Sequence, residues 1–129
     1  MDYEKNNQVE LEFTINTPPT IIYQRLSTPH GLSEWFANDV NLEDNIFTFI
    51  WDNDMRKAEL IESEKNKMVK FKWLDNDTDN HLIFELIKDE MTGDLSLHVT
   101  EDIEEYNEID EAITLWNHQI NTLKRVLGA

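Results

Sequence analysis

Seven apolar residues, Ile109, Ala112, Ile113, Trp116, Ile120, Leu123 and Leu127, recur at offsets 0, 3, 4, 7, 11, 14 and 18, which is the stripe of an amphipathic helix near the C-terminal end. Glu104, Glu105, Glu108, Asp110 and Glu111 stand at its beginning and Lys124 and Arg125 near its end, signs that suit the helix dipole, and Gly128 supplies a stop. A helix of this kind must bury its stripe, so the rest of the chain has to provide a large apolar surface.

Strands provide it. Val9, Leu11, Phe13 and Ile15 alternate with Gln8, Glu10, Glu12 and Thr14, a period of two with one wet face. Six further strand-like runs follow: Val40 to Leu42, Ile46 to Trp51, Met55 to Glu62, Met68 to Leu74, His81 to Lys88 and Leu95 to Glu101. Phe47, Phe49 and Trp51 share a face, as do Val69, Phe71 and Trp73, then Leu82, Phe84 and Leu86, then Leu95, Leu97 and Val99. Short polar connections such as Glu64-Lys65-Asn66-Lys67 and Glu90-Met91-Thr92-Gly93-Asp94 join neighbours as antiparallel hairpins in a meander. Between the first strand and the others, Thr17-Pro18-Pro19 and Thr28-Pro29 are helix-start signals, a hydroxyl cap followed by proline where its missing N–H costs nothing. The first precedes Ile21, Ile22, Tyr23 and Leu26. After the second and Gly31, Leu32, Trp35 and Phe36 fall three and four apart on one helix face. The order is that of an α+β protein, and 129 residues and 15.3 kDa suit one domain spanning 1–129.

Charge narrows the partners. Lys and Arg number 11 against 27 Asp and Glu, a net −16 that repels phosphate backbones and anionic headgroups, so nucleic acid and electrostatic membrane docking are both poor readings. The absence of cysteine removes disulfides, thiolate metal sites and cysteine nucleophiles, and fits a reducing compartment. The opening MDYEKNNQVE holds no apolar signal-like run and no later stretch reaches membrane-span length, so the expectation is a cytoplasmic protein without integral membrane association. Asn76-Asp77-Thr78 matches a glycosylation sequon that such a protein would not use.

Catalytic chemistry finds little purchase. His30, His81, His98 and His118 are scattered, with no i, i+4 pair among them and no nearby carboxylate in metal spacing, so no metal site is expected and they read as surface histidines. Asp75-Asn76-Asp77-Thr78-Asp79-Asn80 imitates the start of a calcium loop, but Asn80 stands where glycine should turn the chain and Leu86 where a bidentate Glu should close the shell; it reads as a solvated hairpin turn. There is no nucleophile elbow, and three glycines in all leave no phosphate loop. Glu85 is the one acid inside an otherwise apolar run, but its phase puts it with Ile83 and Ile87 on the face opposite Leu82, Phe84 and Leu86. That second apolar face, with Thr48 and Ile50 on the same side, raises homodimerisation through the outer sheet surface. No catalytic residue and no cofactor is assigned.

The order strand, two short helices, six strands, long helix resembles the helix-grip fold of the START-like, or SRPBCC, superfamily, in which a curved antiparallel sheet wraps the last helix. Thr17-Pro18-Pro19, Leu32-Ser33-Glu34-Trp35-Phe36, Phe71-Lys72-Trp73, Phe84-Glu85-Leu86, Thr100-Glu101 and Trp116 with Leu123-Lys124 resemble, over nearly the whole chain, the pattern of the homologues of the activator of the ninety-kilodalton heat-shock-protein ATPase. Asp52-Asn53-Asp54 stands where that family often has a Gly-rich turn. The resemblance implies a hollow between sheet and C-terminal helix that in relatives holds lipids, sterols, polyketides or other apolar molecules, or supports cyclase or hydrolase chemistry.

These lines meet in a non-enzymatic START-like domain that encloses a small apolar molecule or lipid. Its expected cavity lining is Leu32, Trp35, Phe36, Phe47, Phe49, Trp51, Phe71, Trp73, Phe84, Leu97, Trp116 and Ile120, with Leu32, Trp35 and Phe36 as a movable lid. Solid core packing is the competing reading of the same aromatics. The alternative function is a protein-interaction module, such as a chaperone regulator, steered to a basic partner by its acidic surface. An enzyme of the same fold comes third, because no acid, base and nucleophile can be named.

Overall fold

The structure, a computed structural model, describes residues 7–75 and 79–128. Its elements in order are β1 (Asn7–Thr14), α1 (Pro19–Ser27), α2 (Pro29–Ser33), β2 (Asp39–Glu43), β3 (Ile46–Trp51), β4 (Asp54–Glu64), β5 (Met68–Trp73), β6 (His81–Lys88), β7 (Leu95–Ile103), a 3₁₀ turn at Tyr106–Glu108 and α3 (Ile109–Leu127). The seven strands form one antiparallel sheet in the order β1-β7-β6-β5-β4-β3-β2. Every neighbouring pair except β1 and β7 is a hairpin or near hairpin. β1 instead returns beside β7, which moves the chain's first strand to the edge opposite β2.

The alternation in the sequence survives as burial. Phe47, Phe49, Val69, Phe71, Leu82, Phe84, Leu97 and Val99 are each at most 1% exposed, and the helix stripe meets them with Trp116, Ile120 and Leu123. Strands run further than the apolar pattern alone suggests. β7 continues to Ile103 because Asp102 and Ile103 pair with Gln8 and Asn7 of β1, and the ladder bonds do not depend on side-chain polarity. β4 spans Asp54–Glu64 and carries a register shift between Leu60 and Glu62, which leaves Ile61 at 43% exposure.

Both helix starts fall where the prolines place them, but only one is capped by its hydroxyl. Thr28 Oγ1 accepts from Gly31 N at 2.9 Å. The cap of α1 is Pro18, with no side-chain bond, so Thr17 does not serve. α2 ends at Ser33, and a tight turn carries Trp35 and Phe36 onward, with Phe36 N donating to Leu32 O at 2.9 Å. The three apolar residues therefore do converge, though only Leu32 lies within the helix. Gly128 ends α3 in the left-handed region at φ 71°, its N–H returning to Arg125 O.

On the outer face the register separates the apolar residues. Ile83 lies between Lys70 and Thr100, Glu85 between Met68 and His98, and Ile87 beside Ser96. Glu85 is exposed, so it is not a buried base. Asn76, Asp77 and Thr78, the sequon and the middle of the calcium-like loop, lie outside the described residues. Asp75 from the same stretch is taken by Arg56, and Asp79 lies 3.6 Å from Lys72.

Gly31 is where α1 and α2 come closest. A Cβ there would stand 2.3 Å from Gln24 O and 2.7 Å from Arg25 Cα, both backbone atoms that cannot swing aside. Gly31→Ala is expected to destabilise the fold by about 1–3 kcal/mol, the scale of overpacking in a tight contact. A urea unfolding midpoint that stays at the wild-type value would contradict this.

Candidate functional site

The aromatic face is closed over most of its length. Phe36 packs edge-on against Phe49 with ring centroids 5.0 Å apart and stacks on Trp116 at 5.7 Å, while Phe84 meets Trp116 edge-on at 5.8 Å and Phe47 meets Phe71 at 5.2 Å. Of the twelve residues expected to line a cavity, Leu32, Phe47, Phe49, Phe71, Phe84, Leu97 and Ile120 lie inside this packed core, each at most 1% exposed. The other five, Trp35, Phe36, Trp51, Trp73 and Trp116, border a cleft of about 490 Å³. The cleft opens between the β3–β4 hairpin, the ends of β5 and β7, and the middle of α3, which adds Leu115, His118, Gln119 and Thr122.

Trp35 and Phe36, expected as a lid, are tied by hydrogen bonds to α1, β3 and α3. Trp35 Nε1 donates to Arg25 O at 2.8 Å, and the carbonyl of Phe36 accepts from both Trp51 Nε1 (2.8 Å) and Gln119 Nε2 (3.1 Å). One main-chain oxygen thus ties the turn after α2 to β3 and to α3. Opening it would break both bonds and leave the buried Gln119 amide without this partner.

At the inner end of the cleft lies Glu101, 9% exposed. Its Oε1 accepts from Trp116 Nε1 at 2.8 Å and its Oε2 from Trp73 Nε1 at 3.2 Å. Burial pushes its carboxyl above the ordinary value of 4.5; the Trp116 bond, the Arg56 charge and the Trp73 bond pull the other way, and Asp102 adds to the rise. Glu101 continues the inward phase of Leu97 and Val99, a signal present in the sequence and easily passed over because the apolar run ends before it. Gln119, 8% exposed, had no such signal: it lies beside the apolar stripe, and only the Phe36 carbonyl explains its burial.

Arg56 stands between this cleft and the next. Its guanidinium carbon lies 3.6 Å from the Trp73 ring centroid and its Nε pairs with Asp75. Beyond it a second cleft of about 620 Å³ shares Asp54, Arg56, Glu101 and Leu115 with the first, and its other lining includes Asp102, Glu104, Glu105, Glu108 and Glu111. Asp102 is 9% exposed on the opposite face of β7, accepting from Gln8 Nε2 and from the backbone N of His81, each at 2.9 Å. His81 is accordingly half-buried, with Nδ1 3.5 Å from Asp102, and His98, 3.8 Å from Glu12, is half-buried as well, so these two depart from the surface reading while His30 and His118 are exposed. Among the described residues no group of three or more His, Asp or Glu side chains converges on a metal position, and no helix is long and apolar enough to cross a membrane.

Residues 3–129 match the profile of the START-like superfamily domain, and the chain belongs to that family. The Aha1 dimer from Colwellia psychrerythraea superposes with a TM-score of 0.81 over 94% of this chain and 96% of that one at 21% identity, in keeping with the resemblance that the motif order carries. A Bacteroides fragilis protein solved in solution is 30% identical, with a TM-score of 0.65 over 95% of this chain and 92% of that one. DynU16, a protein of the dynemicin biosynthetic locus, gives a TM-score of 0.81 at 15% identity; the alignment takes 97% of this chain but 48% of DynU16. No curated protein matches the sequence.

An acid with a raised folded-state pKa holds its proton more tightly folded than unfolded. Its contribution to stability is greatest at low pH, declines as pH rises from 4.5 through the shifted value, and then levels off. Glu101→Gln removes that titration. The stability of the wild type relative to Glu101→Gln should therefore fall across this window, on top of a pH-independent offset from the indole N–H that the amide leaves unpaired. Denaturant unfolding of both proteins from about pH 4 to about pH 8 checks it, and two parallel curves would contradict the buried acid.

Proposed function

We propose that this START-like domain is a binding module for a small organic molecule with an apolar body, held in the cleft between the sheet ends and α3. The observation that carries the reading is the cleft itself. Its volume of about 490 Å³ lies within the range of small-molecule sites, and its walls are five aromatic side chains, four of them tryptophans each held by an indole hydrogen bond. Rigid aromatic walls bury ligand surface at little conformational cost, and apolar burial supplies the affinity. The superfamily match and the fold shared with a biosynthetic-locus protein favour the same reading over a fold used only as scaffold.

The reading is binding, with the protein as a carrier or sensor. Leu115, 53% exposed, sits at the mouth, where a larger side chain would fill the entrance without disturbing the core.

The neutral fluorophore N-phenyl-1-naphthylamine is expected to bind saturably at one site per chain. Leu115→Trp should weaken that binding about tenfold or more while leaving the thermal midpoint near the wild-type value, since surface substitutions move stability little. A linear, unsaturable response in the wild type, or an unchanged affinity in Leu115→Trp, would sink the reading.

A further inference from the structure

We infer that the ligand of this cleft is a cation, an organic ammonium whose apolar body lies among the tryptophans and whose charged end meets Glu101. The inference rests on the small-molecule reading above and names the class of molecule.

It follows from what the cleft has left to offer. All four indole N–H groups in the chain are already committed: Trp35 to Arg25 O, Trp51 to Phe36 O, and Trp73 and Trp116 to Glu101. Gln119 likewise spends a side-chain N–H on Phe36 O. The aromatic walls therefore offer a ligand ring surface and no indole donors, and most of that surface comes from Trp51, since Trp35, Phe36, Trp73 and Trp116 are each at most 5% exposed. Glu101 at their inner end accepts one bond at each oxygen and, in its ionised form, retains a further lone pair on each. Beside the remaining N–H groups of Arg56 and Gln119, this surface of aromatic rings and acceptor lone pairs is complemented by a group that brings both positive charge and N–H donors.

The chain itself shows that these walls take such a group. The Arg56 guanidinium is seated on the Trp73 face at 3.6 Å. Its Nε pairs with Asp75 and its charge also acts on Glu101, so this one guanidinium is shared among several carboxylates. Beyond Arg56 the formal charges of the adjoining groove are all carboxylates, with Glu104, Glu105, Glu108 and Glu111 on the approach and Asp54 shared by both clefts. His118 is the remaining titratable group on the aromatic side and is exposed. A cation is drawn along this route and an anion is turned away. An anionic ligand anchored on Arg56 would have to displace Asp75 and lie against Glu101 and Asp54.

The test uses three probes that share one ring system and differ in charge: 2-(1-naphthyl)ethylammonium, 2-(1-naphthyl)ethanol and 1-naphthylacetate, titrated by calorimetry into the whole protein. The ammonium is expected to bind about tenfold or more tightly than the alcohol, the scale of a desolvated cation–aromatic contact, and the acetate more weakly than either. The preference should shrink in Glu101→Gln, and in Asp54→Asn, an exposed position that keeps the test open if the buried variant does not fold. The indole N–H resonances of Trp73 and Trp116 should shift with the ammonium. Equal affinity for ammonium and alcohol would overturn the inference while leaving the apolar-ligand reading in place. Preference for the acetate would overturn it in favour of Arg56 as anchor. Ammonium binding without those indole shifts would mark surface charge alone and overturn it as well. Binding of none of the three would remove this inference and the reading beneath it together.

Discussion

The molecule depends on covering the concave aromatic face of one sheet. Strands β3, β5 and β6 place Phe47, Phe49, Phe71 and Phe84 on that side, and no polar partner could satisfy such a surface. Helices α1 and α2 help to cover it, and α3 and the turn that follows α2 complete the cover. The last two are locked to the sheet by directed bonds as well as by burial: the Phe36 carbonyl takes donors from β3 and α3, and Glu101 takes donors from β5 and α3. A carboxylate with two indole partners is a costly thing to bury, and its presence at a helix–sheet junction fixes the azimuth of α3 in a way that apolar contact alone would leave loose.

The same bonds explain why the cleft lies where it does. Ring packing closes the middle of the face, where Phe36, Phe49, Phe84 and Trp116 interlock. Toward the hairpin end the walls are tryptophans whose N–H groups are held elsewhere, so their rings cannot turn inward to fill the remaining space. The volume between Trp51, Trp73 and Trp116 is left open by constraint, and it borders the strongest concentration of carboxylates in the fold. Apolar walls and an acidic approach thus arise from two independent features of the chain, the committed indoles and the acidic stretch that leads into α3.

The fold was largely legible in the chain. The helix stripe, the period of two in Ile46–Trp51 and His81–Lys88, and the proline starts placed those elements where they stand, because each depends on local sequence and on a face that must be buried. The site was legible only in part. Which aromatics would form walls and which would be sealed inside could not be read from alternation, since Phe71 and Trp73 have the same phase and differ only in where the strand ends. Glu101 could have been found by carrying the phase of Leu97 and Val99 two residues further. Gln119 and the pairing of Arg56 with Asp75 could not, because their partners lie 83 and 19 residues away in sequence.

The sequence by itself determined an antiparallel sheet with one aromatic face, two short helices, an amphipathic helix to cover that face, and a surface charge hostile to anions. These follow from periodicity, turn chemistry and composition, which act locally or by simple summation. Only the tertiary structure decided that five of the twelve aromatic-face residues border a cleft while seven are sealed, and that an acid at the end of β7 is buried between two tryptophans. Those outcomes depend on long-range ring packing and on hydrogen bonds between distant segments, and a one-dimensional pattern carries no information about which donor meets which acceptor.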